Sequence, residues 1–259
     1  MWLSHHLWHE NISFYKLNNY ELVHDQLAEH SLIGLAISLL IFISAAAKSA
    51  QLPFSSWLPR AMEGPTPSSA IFYGSLSVHM GAFILLRTYS FWEHQYSFRV
   101  FVVTVGILTA IMATFTARVQ STVKSQIAYS SIAQIGFIFV EIALGLEILA
   151  LAHIAGNAFL RTYQLLVSPS VVSYKIREQF YNYIPRKTTV EDTWSKRFEY
   201  SFYVLSLKEW MLDDLMYRYW WNPLKRLGSR WSFLSFKNVY YFFTASFLIG
   251  FFFTSRADL

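Results

Sequence analysis

The sequence contains no cysteine. Disulfides, thiolate metal sites, iron–sulfur ligation and cysteine nucleophiles are therefore excluded from this chain. Charge is also scarce: 14% of the 259 residues are Asp, Glu, Lys or Arg, against about 25% in a typical soluble domain. The start of the chain lacks the basic residues and short apolar run of a signal peptide, and the Arg- and Ser-rich pattern of a transit peptide. No Gly-rich phosphate loop, HExxH pair or nucleophile elbow occurs anywhere, so no soluble-enzyme constellation is present. In place of these the chain has apolar surface. Hydrophobic residues make up 54%, aromatic residues 19%, and the mean hydropathy is +0.31. A chain so poor in charge cannot cover its apolar atoms in water. Disorder is excluded, and a lipid-embedded protein is expected rather than a single soluble domain.

Apolar runs organise the sequence. Residues 1–30 form a polar start with net charge −3 and five of the eight histidines. Five apolar spans follow, at Ser31–Gln51, Pro65–Leu86, Phe98–Ala117, Gln126–Gly145 and Glu147–Val167, and a shorter sixth at Val239–Thr254. Each of the five has about the 20 residues that a helix needs to cross some 30 Å of hydrocarbon. The expected fold class is all-α integral membrane, a bundle of about six transmembrane helices plus an interfacial amphipathic helix. Its expected organisation is a polar segment at 1–30, a five-helix half at 31–167, a basic loop with the amphipathic helix at 168–238, and a C-terminal helix at 239–259. Within residues 173–230, eleven Lys/Arg oppose seven Asp/Glu. Phe198, Phe202, Leu205, Leu212, Met216 and Tyr219 recur there at helical spacing. Such a helix lies at the membrane interface or packs on a partner subunit. Anionic lipid or protein suits this basic region better than nucleic acid. The Lys/Arg distribution places the loops after spans one, three and five on the cytoplasmic or matrix side, and the N-terminus outside.

Few ionisable groups remain within the spans, and such groups usually mark ion paths or partner contacts. Lys48 lies near the inner end of span one, and composition alone reads it as a snorkelling side chain. Span two carries Ser69, Tyr73 and Ser77 at i, i+4 and i+8, with His79 turned away from that stripe. A histidine there serves proton transfer or, more commonly, structure. In span four Ser130, Gln134 and Glu141 fall near one face. Glu141 is a candidate proton site or a hydrogen-bonded structural carboxyl. In span five His153, Asn157 and Arg161 line one face over about 12 Å. They form either a hydrated hydrogen-bonded file or a polar seam between helices. Arg161 cannot release its proton usefully, so it acts on its neighbours by charge. Outside the membrane-buried runs, Lys124 precedes span four.

Three stretches go further. Ala45–Ala82 reads AAAKSAQLPFSSWLPRAMEGPTPSSAIFYGSLSVHMGA, Lys124–Phe137 reads KSQIAYSSIAQIGF, and His153–Thr162 reads HIAGNAFLRT. In order and spacing these resemble the antiporter-like membrane subunits of respiratory complex I. The best match is the subunit 5 type of NADH:ubiquinone oxidoreductase, related to the large subunit of multisubunit sodium/proton antiporters. The resemblance implies that Lys48 is the buried central lysine that drives or receives protons, which replaces the snorkelling reading. It also implies that Lys124 is a second lysine of the proton path, and that His153 links the path to the next half-channel. Departures are visible. The family usually has histidine at Tyr73, often histidine at Asn157, lysine at Arg161, a small residue at His79 and an apolar one at Glu141.

The resemblance further implies a chain that starts at the family's seventh span, as the C-terminal piece of a split subunit. A partner chain would supply the earlier helices, and other membrane-arm subunits of complex I would surround it. No cofactor, metal or catalytic residue is expected in this chain; NADH, FMN, iron–sulfur clusters and ubiquinone belong to partner subunits. The expected location is the mitochondrial inner membrane, or alternatively a bacterial cytoplasmic membrane. A cation/proton antiporter, an inorganic-carbon uptake complex or a non-conducting structural subunit are the other readings.

Overall fold

The computed structural model describes residues 31–181 and 195–230 and a few positions between 240 and 246, without the side chains of 170–172 and 230. The polar start and most of the sixth apolar span lie outside the described residues. Within them the chain is helical throughout, with no strand. Four helices are long and apolar enough to cross a membrane: Ser31–Lys48 (α1), Thr66–Arg87 (α3), Tyr96–Val119 (α5) and Val123–Leu144 (α6). Two short helices, Trp57–Ala61 (α2) and Tyr89–Trp92 (α4), lie in the connections. The fifth expected span is also a helix, Glu147–Tyr181 (α7). It does not reach the same apolar level, because His153, Asn157, Arg161 and Gln164 interrupt its apolar residues.

Local chemistry sets several boundaries. The side chain of Thr122 accepts the Ser125 N–H at 3.1 Å and caps the start of α6. Gly145 ends that helix at φ +86°, while the Leu146 N–H returns to the Glu141 carbonyl. Only Gly145 and Leu146 separate α6 from α7, so the two helices run antiparallel and face each other. The expected boundary after Val167 is not a helix end. Pro169 lies inside α7 and deprives the Leu165 carbonyl of an N–H. The Ser168 hydroxyl donates to that carbonyl instead, at 2.8 Å, and the helix continues.

Small residues bring the helices close, as is usual where lipid provides no hydrophobic drive between helices. A methyl group on Gly106 would lie 2.7 Å from the Gly136 carbonyl, and one on Gly136 2.6 Å from the Gly106 carbonyl, so α5 and α6 touch backbone to backbone. Gly81 of α3 meets the Ala45 carbonyl of α1 in the same way. Between these contacts lies an aromatic cluster. The Phe42 ring makes edge contacts with Phe98 (6.3 Å), Phe101 (5.0 Å) and Phe139 (6.1 Å), and Trp92 joins through Phe98 (5.2 Å). Burial pushes the Tyr89 phenol above its ordinary value, with Arg99 opposing.

The long amphipathic face expected over Phe198–Tyr219 is not one helix. Helix α8 spans Lys196–Leu207 and rests on α5, where Phe202 meets Phe115 at 5.6 Å. Then Glu209, Trp210 and Met211 all take left-handed φ, +51°, +59° and +51°. Such residues cost about 1–2 kcal/mol each, and periodicity in a sequence does not register them. In a second unit beyond Leu212 the chain stays helical through Arg230, with Tyr217–Trp221 in a wider π-helical turn.

Candidate functional site

The residues around Lys48 form a fixed platform. α1 stops because Ala50 adopts a left-handed conformation, φ +53°, and the Gln51 N–H returns to the Ala46 carbonyl at 2.9 Å. The Ser49 hydroxyl donates to the Val78 carbonyl of α3 (2.5 Å), and the Trp57 indole donates to the Ala47 carbonyl (2.9 Å). Gln51 Nε2 donates to the Ile132 carbonyl of α6 (3.3 Å), and the Leu52 N–H to Thr109 Oγ1 of α5 (3.2 Å). The KSAQLPF stretch thus ties the end of α1 to three other helices. Lys48 itself is exposed, with no hydrogen bond or ion pair among the described residues. The burial implied for it by family resemblance is therefore not supplied by these helices.

Two of the other expected site residues stand apart. Lys124 donates from Nζ to the Gly64 carbonyl at 2.8 Å, which anchors the start of α6 to the loop after α2. Tyr73 turns its ring edge-on to Trp57 (6.3 Å). The polar stripe Ser69–Tyr73–Ser77 is not one row, because α3 widens to a π-helix over Ser69–Leu76, where the Ser77 N–H bonds the Phe72 carbonyl. Ser69 instead bonds the Met62 carbonyl at 3.3 Å.

The remaining expected residues are drawn into two clusters along α7. In the first, His153 lies between two residues of α6. Its Nδ1 is 2.8 Å from Glu141 Oε1, and its Nε2 is 2.9 Å from Gln134 Oε1. Both members of the His153–Glu141 pair are partly exposed, by 25% and 18% at the side chain. Glu141 Oε2 is buried with no partner. One turn further along, the second cluster joins α3, α6 and α7. His79 Nδ1 lies 2.8 Å from the Ser75 carbonyl, and its Nε2 lies 3.0 Å from Asn157 Nδ2. Arg161 donates from Nε to Asn157 Oδ1 (3.1 Å), from Nη1 to Gln164 Oε1 (2.7 Å) and from Nη2 to the Ser130 carbonyl (3.2 Å). His79, Asn157 and Arg161 are all buried.

A polar cleft of about 430 Å³ opens between α5, α6 and α7, with Gln134 and Arg161 both on its wall beside Ser130, Gln126 and Arg118. It is roomy and polar enough to hold several waters. Gln164 and the Ser75 carbonyl were not foreseen. Gln164 sits at i+3 from Arg161, a spacing that places it beside the guanidinium. The role of a backbone carbonyl has no signature in the residue types. Among the described residues no group of three or more potential metal ligands occurs.

Comparison with known proteins identifies the family. Residues 2–184 match the family described as NADH:quinone oxidoreductase/Mrp antiporter, TM. NADH-ubiquinone oxidoreductase chain 5 of Cryptococcus neoformans var. grubii is 38% identical over 136 residues, 52% of this chain and 20% of that protein. NADH-quinone oxidoreductase subunit L of Rhodobacter capsulatus is 38% identical over 143 residues, 55% of this chain and 20% of that protein. The probable inorganic carbon transporter subunit DabB2 of Halothiobacillus neapolitanus is 34% identical over 165 residues, 63% of this chain and 29% of that protein. The chain thus spans between a fifth and three-tenths of the length of these relatives. Together, the matched residues and the antiporter-like motifs on α1, α3, α6 and α7 establish that the chain belongs to the NADH:quinone oxidoreductase/Mrp antiporter transmembrane family.

Proposed function

We propose that this chain is a proton-translocating part of the membrane arm of complex I, of the chain 5 type, and that Lys48 is its central exchangeable group. The observation that carries this reading is the platform under Lys48. Four hydrogen bonds from the surrounding motif fix the end of a membrane helix and leave its ammonium unpaired among the described residues. A cation in such a place requires a counter-charge, water or a proton-transfer partner. In this reading a second chain carries the remaining helices of the same antiporter-like unit and covers Lys48, with lipid and other membrane-arm subunits around them. Chemistry with NADH, FMN, iron–sulfur clusters and ubiquinone takes place in partner subunits. The mitochondrial inner membrane is the proposed location, since relatives named chain 5 include fungal and animal proteins.

The test is Lys48→Ala in the assembled complex, read as protons moved per NADH oxidised. We expect loss of this unit's share of pumping with assembly intact. Unchanged pumping in a normally assembled complex would overturn the reading.

The DabB2 match favours a second reading. It covers 63% of this chain, against 52% for the Cryptococcus chain 5 protein, and that relative is named as a transporter of inorganic carbon. Isolation of the intact assembly separates the two. Co-purifying redox subunits support complex I; their absence, with cation- or carbon-dependent transport, supports the transporter.

A further inference from the structure

We infer that Arg161 acts as a positioning residue which, through Asn157, holds His79 neutral with its proton on Nδ1. The proton available for exchange in this region is then held by the Glu141–His153 pair. This inference rests on the proton-translocation reading and deepens it, and hydrogen-bond direction carries it.

A guanidinium has donors and no acceptor. Arg161 Nε lies 3.1 Å from the Asn157 side chain, so the amide oxygen must face Arg161. The amide nitrogen then faces His79 Nε2 at 3.0 Å and presents only hydrogens. His79 Nε2 must accept. On its other side, His79 Nδ1 faces the Ser75 carbonyl at 2.8 Å, which can only accept, so Nδ1 carries the hydrogen. A ring that accepts at one nitrogen and donates at the other is neutral.

A proton added at Nε2 would set two donors face to face. Turning the Asn157 amide would relieve this only by setting its NH2 against Arg161 Nε. Arg161 has no freedom to yield, because its two other nitrogens bond Gln164 and the Ser130 carbonyl and only 7% of the residue is exposed. The groups that act on His79 electrostatically, Arg161 and His153, both come from α7; none from α1 or α6 is among them. A carboxamide has no labile charge to pass on. Asn157 therefore passes no proton between His79 and the rest of α7.

The Glu141–His153 pair has the opposite logic. His153 Nε2 faces the Gln134 carbonyl oxygen, so Nε2 carries a hydrogen. The 2.8 Å contact between Nδ1 and Glu141 Oε1 then needs one further hydrogen. That proton sits on the ring, giving an imidazolium and a carboxylate, or on the carboxyl, leaving both groups neutral. The pair has the same net charge either way, so the proton crosses without a change of charge in the membrane. Gln134 differs from Asn157 in one respect: no obligate donor among the described residues fixes its amide, and it lines the polar cleft.

The experiment is nitrogen NMR of ¹⁵N-histidine in the full chain within its assembly, with His79→Asn and His153→Asn controls to identify the signals. A free imidazole titrates near pH 6.5. We expect the His79 signal to stay in the Nδ1–H form from pH 5 to 8, and the His153 signal to show hydrogen at both nitrogens or a shared one. Arg161→Lys retains an obligate donor and should leave His79 unchanged. Arg161→Gln frees the Asn157 amide and should make His79 titrate. Should that variant fail to assemble, Asn157→Asp answers the same question: its carboxylate, still paired with Arg161, can only accept and should convert His79 to the doubly protonated form. Glu141→Gln should remove the shared hydrogen from His153. Titration of His79 in the unaltered protein would overturn the proposal, as would a His79 signal that ignores both Arg161→Gln and Asn157→Asp. The readout does not involve pumping, so its failure is distinct from failure of the Lys48 test.

Discussion

Lys48 and Arg161 are both cations on helices of the bundle, and the helices treat them in opposite ways. Arg161 is buried, and all three of its nitrogens find acceptors, two within α7 and one on α6. Lys48 stands exposed at the end of α1 with no partner among the described residues, although the backbone beneath it is tied down on every side. Charge placed in a membrane is costly unless paired or wetted. The difference therefore separates a cation whose requirements this chain meets from one whose requirements are met elsewhere. Arg161 belongs to the architecture of the bundle. Lys48 is presented by that architecture to something outside it.

Removing Arg161 should produce the largest change. Arg161→Ala would remove the donors to Asn157 Oδ1 and Gln164 Oε1 and the second donor to the Ser130 carbonyl, and an unpaired buried acceptor costs about 1–3 kcal/mol. We expect a loss of about 2–4 kcal/mol, visible as a lower unfolding midpoint in detergent and a smaller assembled fraction. An unchanged midpoint would place Arg161 on the same footing as Lys48 and dissolve the contrast.

Gly81→Ala attacks the other side of the comparison. Its methyl group would press on the Ala45 carbonyl and the Ser49 hydroxyl, which fix the last turn of α1. Overpacking of this kind costs about 1–3 kcal/mol. The expected result is a smaller fall in midpoint than for Arg161→Ala, with greater protease or label access around Lys48. If α1 holds its place, the platform is more compliant than its hydrogen bonds imply.

How much of this was legible in the sequence depends on the scale of the interaction. The apolar runs mark the membrane helices because burial in lipid acts on each residue in turn. The i, i+4, i+8 spacing of His153, Asn157 and Arg161 does put them on one side of α7, and Gln134 and Glu141 do face His153. The sequence does not reveal that these residues divide into two clusters, because that division depends on which residues of α3 and α6 stand opposite. Three backbone events were also illegible. The π-helical widening at Ser69–Leu76 splits an apparent stripe. Ser168 repairs the carbonyl that Pro169 leaves open, so the helix continues. The left-handed turn at Glu209–Met211 interrupts a periodicity that reads as unbroken.

The smallest expected effect on stability is also the sharpest use of the comparison. Lys48 makes no hydrogen bond or ion pair among the described residues, and its side chain is exposed. Substitutions at such positions usually change stability by less than about 0.5 kcal/mol. Some loss is expected from the helix end itself, since a cation in the last turn of α1 sits at the negative end of the helix dipole. Lys48→Gln removes the charge while keeping a long polar side chain. Its unfolding midpoint in detergent should therefore stay close to that of the unaltered chain. Within the complete assembly the same substitution should act differently, because a counter-charge supplied from outside would lose its partner there. A stability loss that appears only in the assembly would locate the missing group on a neighbouring chain. A loss of equal size in the isolated chain would mean that Lys48 is satisfied internally after all, and that it differs from Arg161 only in degree.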